Sequence, residues 1–160
     1  MSRFTDALRS DGPHPDHFDA LQLYGQFVGA WEMEAYAWKN GRRLSRGKGR
    51  IYFEWVLQGL AVQDVWILFN AFYGTHLRLY DPKACAWHIQ WSNTLHLSAA
   101  QSIGRAEDDK IVEDSHPAME TRSRSLYSEI SRKRFRRLIE TSLDGGKTWS
   151  PQVEIIARRV

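Results

Sequence analysis

Asp64 sits in the run Val62-Gln63-Asp64-Val65-Trp66, a carboxylate among apolar neighbours. Burying such a group unpaired is costly, so an inward-facing Asp64 requires a guanidinium such as Arg78 or a ligand cation as partner. Arg78 and Tyr80, in Arg78-Leu79-Tyr80-Asp81, could together clamp an anionic or polar head group, because a guanidinium matches carboxylate geometry. The same Arg78, Tyr80 and Asp64 could instead polarise a substrate in an isomerase or cyclase. Shortly downstream, Trp87, His88, Gln90 and Trp91 place flat rings beside polar groups, the lining a ligand site needs.

Other chemistry has weaker carriers. His14 and His17 are spaced HxxH, but they precede a helix where a cap or solvent role is expected, and His88 and His96 have no Cys, Asp or Glu at ligand spacing. No metal site and no cofactor are expected. Haem is the alternative to weigh, with His76, His88 or His96 as axial ligand. Glu32 and Glu34 share one strand face and read as solvated rather than as an acid and base pair. Cys85, the sole cysteine, reads as a small buried filler, and no intrachain disulfide can form. The basic run Ser131-Arg132-Lys133-Arg134-Phe135-Arg136-Arg137 reads as a strand whose Phe135, with Leu138 and Ile139, is buried while the rest faces water, so nucleic acid is not an expected partner.

The elements that must position these residues are strands. Seven tryptophans, at 31, 38, 55, 66, 87, 91 and 149, fall mostly in short runs alternating apolar with polar residues between turn signals, which argues for an antiparallel sheet closed into a barrel. Residues 1–14 read as a flexible tail, and residues 15–160 as one domain. Pro15, Asp16 and His17 open a helix to about Phe27, which Gly29 stops. Strands are expected over residues 29–38, 44–58, 61–67, 75–81 and 85–91, then near 97–106, 110–115, 122–130, 133–142 and 149–159. Asn40-Gly41 is a hairpin turn. Gly47 and Gly49 permit a sharp bend. Leu68-Phe69-Asn70-Ala71-Phe72-Tyr73-Gly74 reads as a loop or helical turn capping one end. Nine or ten strands at this spacing favour an up-and-down barrel over a sandwich.

Alternation divides each strand but does not say which face is inward. Gln63, Val65 and Ile67 oppose Val62, Asp64 and Trp66; Arg78 and Tyr80 oppose Leu77 and Leu79; Trp87, Ile89 and Trp91 oppose His88 and Gln90. If the polar faces point in, Gln63, Arg78, Tyr80, His88 and Gln90 line a polar cavity. If the others do, Asp64 joins Trp66, Trp87 and Trp91.

The helix running into Gly29-Ala30-Trp31 on a first strand resembles the Gly-x-Trp signature of lipocalins and their calycin relatives. The order GxWxxE, WVLxGxxVQDVW, RLYDP, WxxxW and SxDGGxTW is similar to that of lipocalin-like bacterial proteins of unassigned function. This resemblance spans residues 20–159 and implies that Trp31 closes the barrel base, with Arg158 or Arg159 packed across it. It also implies a small hydrophobic or amphipathic ligand inside the barrel. Ser142 to Trp149 matches a sialidase Asp-box, here a single hairpin with Asp144 accepting backbone N–H groups and Trp149 packing beneath, without catalytic meaning.

The first thirty residues carry charges where a signal peptide would be apolar, and no run of about eighteen apolar residues spans a bilayer. A cytoplasmic protein without membrane partner is therefore expected. The functional expectation is a lipocalin-like barrel binding a partly apolar molecule with a polar or anionic head. The alternatives are an enzyme of the same fold, or a module that forms a homodimer through Tyr36 and Trp38 and has no ligand.

Overall fold

The computed structural model describes residues 2–97, 99–115 and 121–160. Ten strands form one closed antiparallel barrel: β1 (Gly29–Lys39), β2 (Arg42–Val56), β3 (Ala61–Leu68), β4 (Phe72–Asp81), β5 (Ala86–Asn93), β6 (Ala99–Glu107), β7 (Lys110–Asp114), β8 (Arg122–Ser128), β9 (Arg134–Ser142) and β10 (Ser150–Arg159). Each strand pairs with the next, and β1 pairs with β10, Trp31 lying opposite Arg159. The up-and-down barrel expected from the alternating tryptophan runs is therefore the observed fold. Closure removes the unpaired sheet edges that would otherwise invite aggregation.

Local chemistry explains the turns. Asn40 and Gly41 both take positive φ, 51° and 71°, as a tight two-residue hairpin turn demands. The β1–β2 register shifts between Ala35 and Tyr36, opposite Gly47 and Ser45, so the bend expected at the small residues is a bulge there. The segment from Leu68 to Gly74 is not a cap. It is the β3–β4 hairpin, with Asn70 at φ 61° and Leu68 paired to Phe72, because its large residues continue the two strands.

A 3₁₀ turn (Pro15–His17) leads into α2 (Phe18–Gly25), following α1 (Arg3–Leu8). The stretch read as a flexible tail thus contains a helix. It is also tied down: Ser10 N–H donates to the Trp55 carbonyl at 2.9 Å and His14 N–H to that of Gly59 at 3.1 Å. The signal missed was Ser2, whose hydroxyl caps α1 by accepting from Thr5 N–H.

α2 closes one end of the barrel by inserting Leu21 and Tyr24, with Phe27 just beyond it. Phe27 packs at ring-centroid distances of 4.9 Å on Phe135 and 5.6 Å on Phe53, and Tyr24 at 4.9 Å on Trp87. The edge-to-face pairs, Phe27 with Phe135 and Tyr24 with Trp87, each stabilise by about 0.5–1.5 kcal/mol beyond burial. Trp31 lies at the base, its indole N–H donating to the Phe27 carbonyl at 2.7 Å. The arginine across it is Arg159, not Arg158. The Arg159 guanidinium sits 4.2 Å above the Trp31 ring and also donates to the carbonyls of Val28, Gln26 and Arg132. Arg158 points outward toward Glu34, at 3.5 Å, because adjacent strand residues face opposite sides.

At the other end, Asp144 accepts from the backbone N–H groups of Lys147 and Thr148 and from the hydroxyls of Ser142 and Thr148. Those bonds, led by Thr148, hold its carboxyl down at about 2. Trp149 closes the hairpin by donating to the Gly146 carbonyl, with Arg124 stacked 3.9 Å from its ring.

Candidate functional site in the barrel lumen

Above the aromatic plug the lumen turns polar. β3 contributes Asp64, β4 His76 and Arg78, β7 Glu113, β8 Ser125 and Tyr127, and β9 Arg137, all buried. Arg78, with no exposed surface, is surrounded by acceptors: Nη1 donates to Asp64 Oδ2, Nε to Glu113 Oε1 at 3.1 Å and Nη2 to the Tyr127 hydroxyl at 3.0 Å. Burial pushes the Asp64 carboxyl up, but Arg78 and then His76 outweigh it and hold the group well below the usual carboxylate range. Glu113 is lowered in the same way, burial being overcome by Arg78 and Arg137.

His76 joins the two ends of this network. Its Nδ1 lies 3.0 Å from Asp64 Oδ1, and its Nε2 lies 3.3 Å from Arg137 Nη2. A guanidinium only donates, so Nε2 must accept and Nδ1 carries the proton, which it gives to Asp64. The imidazole is therefore neutral. Burial, reinforced by Arg78 and Arg137 against the pull of Asp64, pushes its pKa down to about 4.

Arg137 is 7% exposed. Its Nη2 is shared by His76 Nε2, Glu113 Oε2 at 3.2 Å and Ser125 Oγ at 2.9 Å. Its Nε, also buried, has no hydrogen-bond partner among the described residues. Together with His76, Trp91, Glu113 and Ser125 it lines a cavity of about 250 Å³ away from α2. Trp91 lies 4.2 Å from the His76 ring at an interplanar angle of 34°, so it presents a flat apolar wall beside the polar floor.

The architecture is similar to that in the crystal structure of Rv2717c from M. tuberculosis, with a TM-score of 0.55 across 88% of this chain and 97% of that one, at 10% sequence identity. A likeness at that identity establishes the fold. No family model and no curated protein matches the chain.

Register decides which sequence candidates meet. Asp64 pairs with His76, and His76 with Trp91, so Asp64, Trp66, Arg78, Tyr80, Trp87 and Trp91 all face inward. Neither face assignment weighed from the sequence has this membership, since residues of both share the lumen. Gln63, His88 and Gln90 lie outside: Gln63 bonds Thr75 at 3.2 Å, His88 lies 3.2 Å from Asp81, and Gln90 is exposed. Tyr80 and Trp87 belong to the α2 end, where Tyr80 approaches His17 at 5.7 Å. Of the nine proposed ligand-binding residues, only Trp91 lines the cavity itself.

The sequence reading did not assign Glu113, Ser125, Tyr127 or Arg137 to the site. The signal for Arg137 was present: a buried Phe135 places residue 137 on the same face two positions on. Leu138 consequently faces outward and Arg137 inward, the reverse of the expectation. Cys85 is exposed, at φ 48° in the β4–β5 turn, rather than a buried filler.

The residues do not fit haem. Both His76 nitrogens are engaged, His88 and His96 are exposed, and about 250 Å³ lies below the usual range of ligand pockets. No cluster of three or more His, Cys, Asp or Glu side chains arranged to hold a metal occurs among the described residues. Among the described residues no helix is long and apolar enough to cross a membrane. Tyr36 and Trp38, proposed for a dimer contact, are held by the protein itself: Tyr36 donates to Glu34 at 2.6 Å and Trp38 to Glu154 at 3.3 Å.

Proposed function

We propose that this protein is a calycin-like binding barrel that takes a small, partly apolar molecule with a polar head into its open end. One observation carries the reading. A buried guanidinium, Arg137, borders the cavity beside the indole of Trp91. A guanidinium only donates, so a polar head that meets it there is an acceptor. At about 30 Å³ per water-sized group, the cavity holds about eight non-hydrogen atoms. The plugged base, with Trp31 beneath Arg159, supports the calycin reading, with the cavity toward the opposite end.

Tryptophan fluorescence titrated with benzamide, benzoate, hexanamide and hexanoate tests this. Saturable quenching by at least one compound is expected. It is lost in Ala100→Trp, where Ala100, opposite Trp91 and lining the mouth, becomes large enough to fill it. No saturable response, or one that persists in Ala100→Trp, overturns the reading.

A further inference from the structure

The charges around the cavity go further and specify the ligand's head group. Asp64 and Glu113 are two buried anions, and Arg78 and Arg137 two buried cations, each cation bonded to at least one of the anions. Among the described residues the other lumen groups add no charge. His76 is neutral by its hydrogen bonds, and the hydroxyls of Tyr24 and Tyr127 are pushed well toward the protonated form by burial. At the rim, Arg124 is committed to Glu140 at 2.8 Å. Asp114 pairs outward with Arg122. The remaining polar lining, Gln101, Ser102, Ser115, Ser123 and Ser125, carries no charge.

Among the described residues the lumen is therefore electrically closed before any ligand arrives. An anion seated on Arg137 would compete with Glu113 for the same cation and leave one buried negative charge without a counterion, which is unfavourable in a poorly solvated site. A cation would meet Arg137 itself. What Arg137 can receive from the cavity is an acceptor without a charge, because a guanidinium only donates.

Resting on the binding reading above, we infer that the site selects uncharged molecules whose head is a hydrogen-bond acceptor, such as an amide or ketone carbonyl, with an apolar body laid against Trp91. Such a head accepts from the Arg137 guanidinium while Glu113 keeps its bonds to Arg78 and Arg137. The discrimination is against the carboxylate of the same shape.

Isothermal titration calorimetry of the full chain at pH 7, with the matched pairs benzamide and benzoate, hexanamide and hexanoate, tests the inference. Each titration is run in two buffers of different ionisation enthalpy, so that proton uptake is read directly. The amide of at least one pair is expected to bind about tenfold or more tighter than its carboxylate. Any carboxylate binding is expected to carry uptake of about one proton and to strengthen as pH falls, since the added anion must be neutralised. Carboxylates that bind as tightly as their amides, or that bind without proton uptake, overturn the neutral-head inference while leaving the binding site standing. Binding of neither member of either pair overturns both.

Discussion

His76 is the residue whose environment makes the sharpest prediction. Its pKa falls from 6.5 in the unfolded chain to about 4 in the fold, chiefly through burial. Between those values the unfolded chain takes up a proton that the native imidazole refuses, so stability drops as pH falls through that window. The loss at pH 5 relative to pH 7 amounts to about 2 kcal/mol from this residue. Asp64 and Glu113 act lower on the scale: their depressed pKa values stabilise the fold above the ordinary carboxylate range, and that contribution disappears on further acidification. Urea unfolding at pH 7 and pH 5 separates the effects. His76→Gln, which keeps a polar group but cannot titrate, is expected to show about 2 kcal/mol less loss between these pH values than the native chain. Equal losses would mean that the imidazole is not held neutral.

At the scale of elements, barrel geometry demands close backbone approaches that only glycine permits. Gly49 on β2 lies between Met33 of β1 and Leu68 of β3, and a Cβ there would strike the Ile67 carbonyl. Backbone cannot swing aside as a side chain can, so Gly49→Ala is expected to destabilise by about 1–3 kcal/mol in chemical denaturation. Gly12→Ala, with nothing within 4 Å of the new methyl group, is the control and should leave stability unchanged or slightly raised. A Gly49→Ala variant as stable as the native chain would contradict the tight wall. These elements were largely legible in the sequence, because period-two alternation and turn residues such as Asn40-Gly41 are local signals. The contents of the lumen were not. Inward and outward faces both carry aromatic and polar residues, as Trp66 beside Gln63 and Trp91 beside Gln90 show, so only cross-strand register decides which face is inside. Arg137 was obscured by its neighbours. In a run of basic residues the ordinary expectation is solvent, and that expectation outweighed the parity with Phe135 that places the side chain inside. Glu113, two residues after the buried Ile111, was hidden for the same reason: a lone carboxylate on a short strand gives no sign of the arginines that neutralise it from β4 and β9.

For the molecule as a whole, the barrel divides its interior into two unlike halves. The α2 end is a dense aromatic plug resting on Trp31, with Arg159 covering it and tying the end of β10 to the α2–β1 junction. The opposite end holds four charges that cancel, and the cavity beside them. The closed half gives the open half a rigid floor, on which the guanidinium of Arg137 and the ring of Trp91 are fixed before a ligand arrives. The two halves also differ in what they can report. Trp91 borders the cavity, whereas Trp31 and Trp55 belong to the plug and the wall around it. A ¹H–¹⁵N correlation spectrum resolving the seven indole N–H signals and the arginine Nε–H groups, recorded during titration with hexanamide, reads ligand entry at the cavity. The signals of Trp91 and Arg137, assigned with Trp91→Phe and Arg137→Lys, are expected to move on binding while those of Trp31 and Trp55 stay fixed. Unmoved Trp91 and Arg137 signals, or shifts confined to Trp31 and Trp55, would contradict ligand entry there.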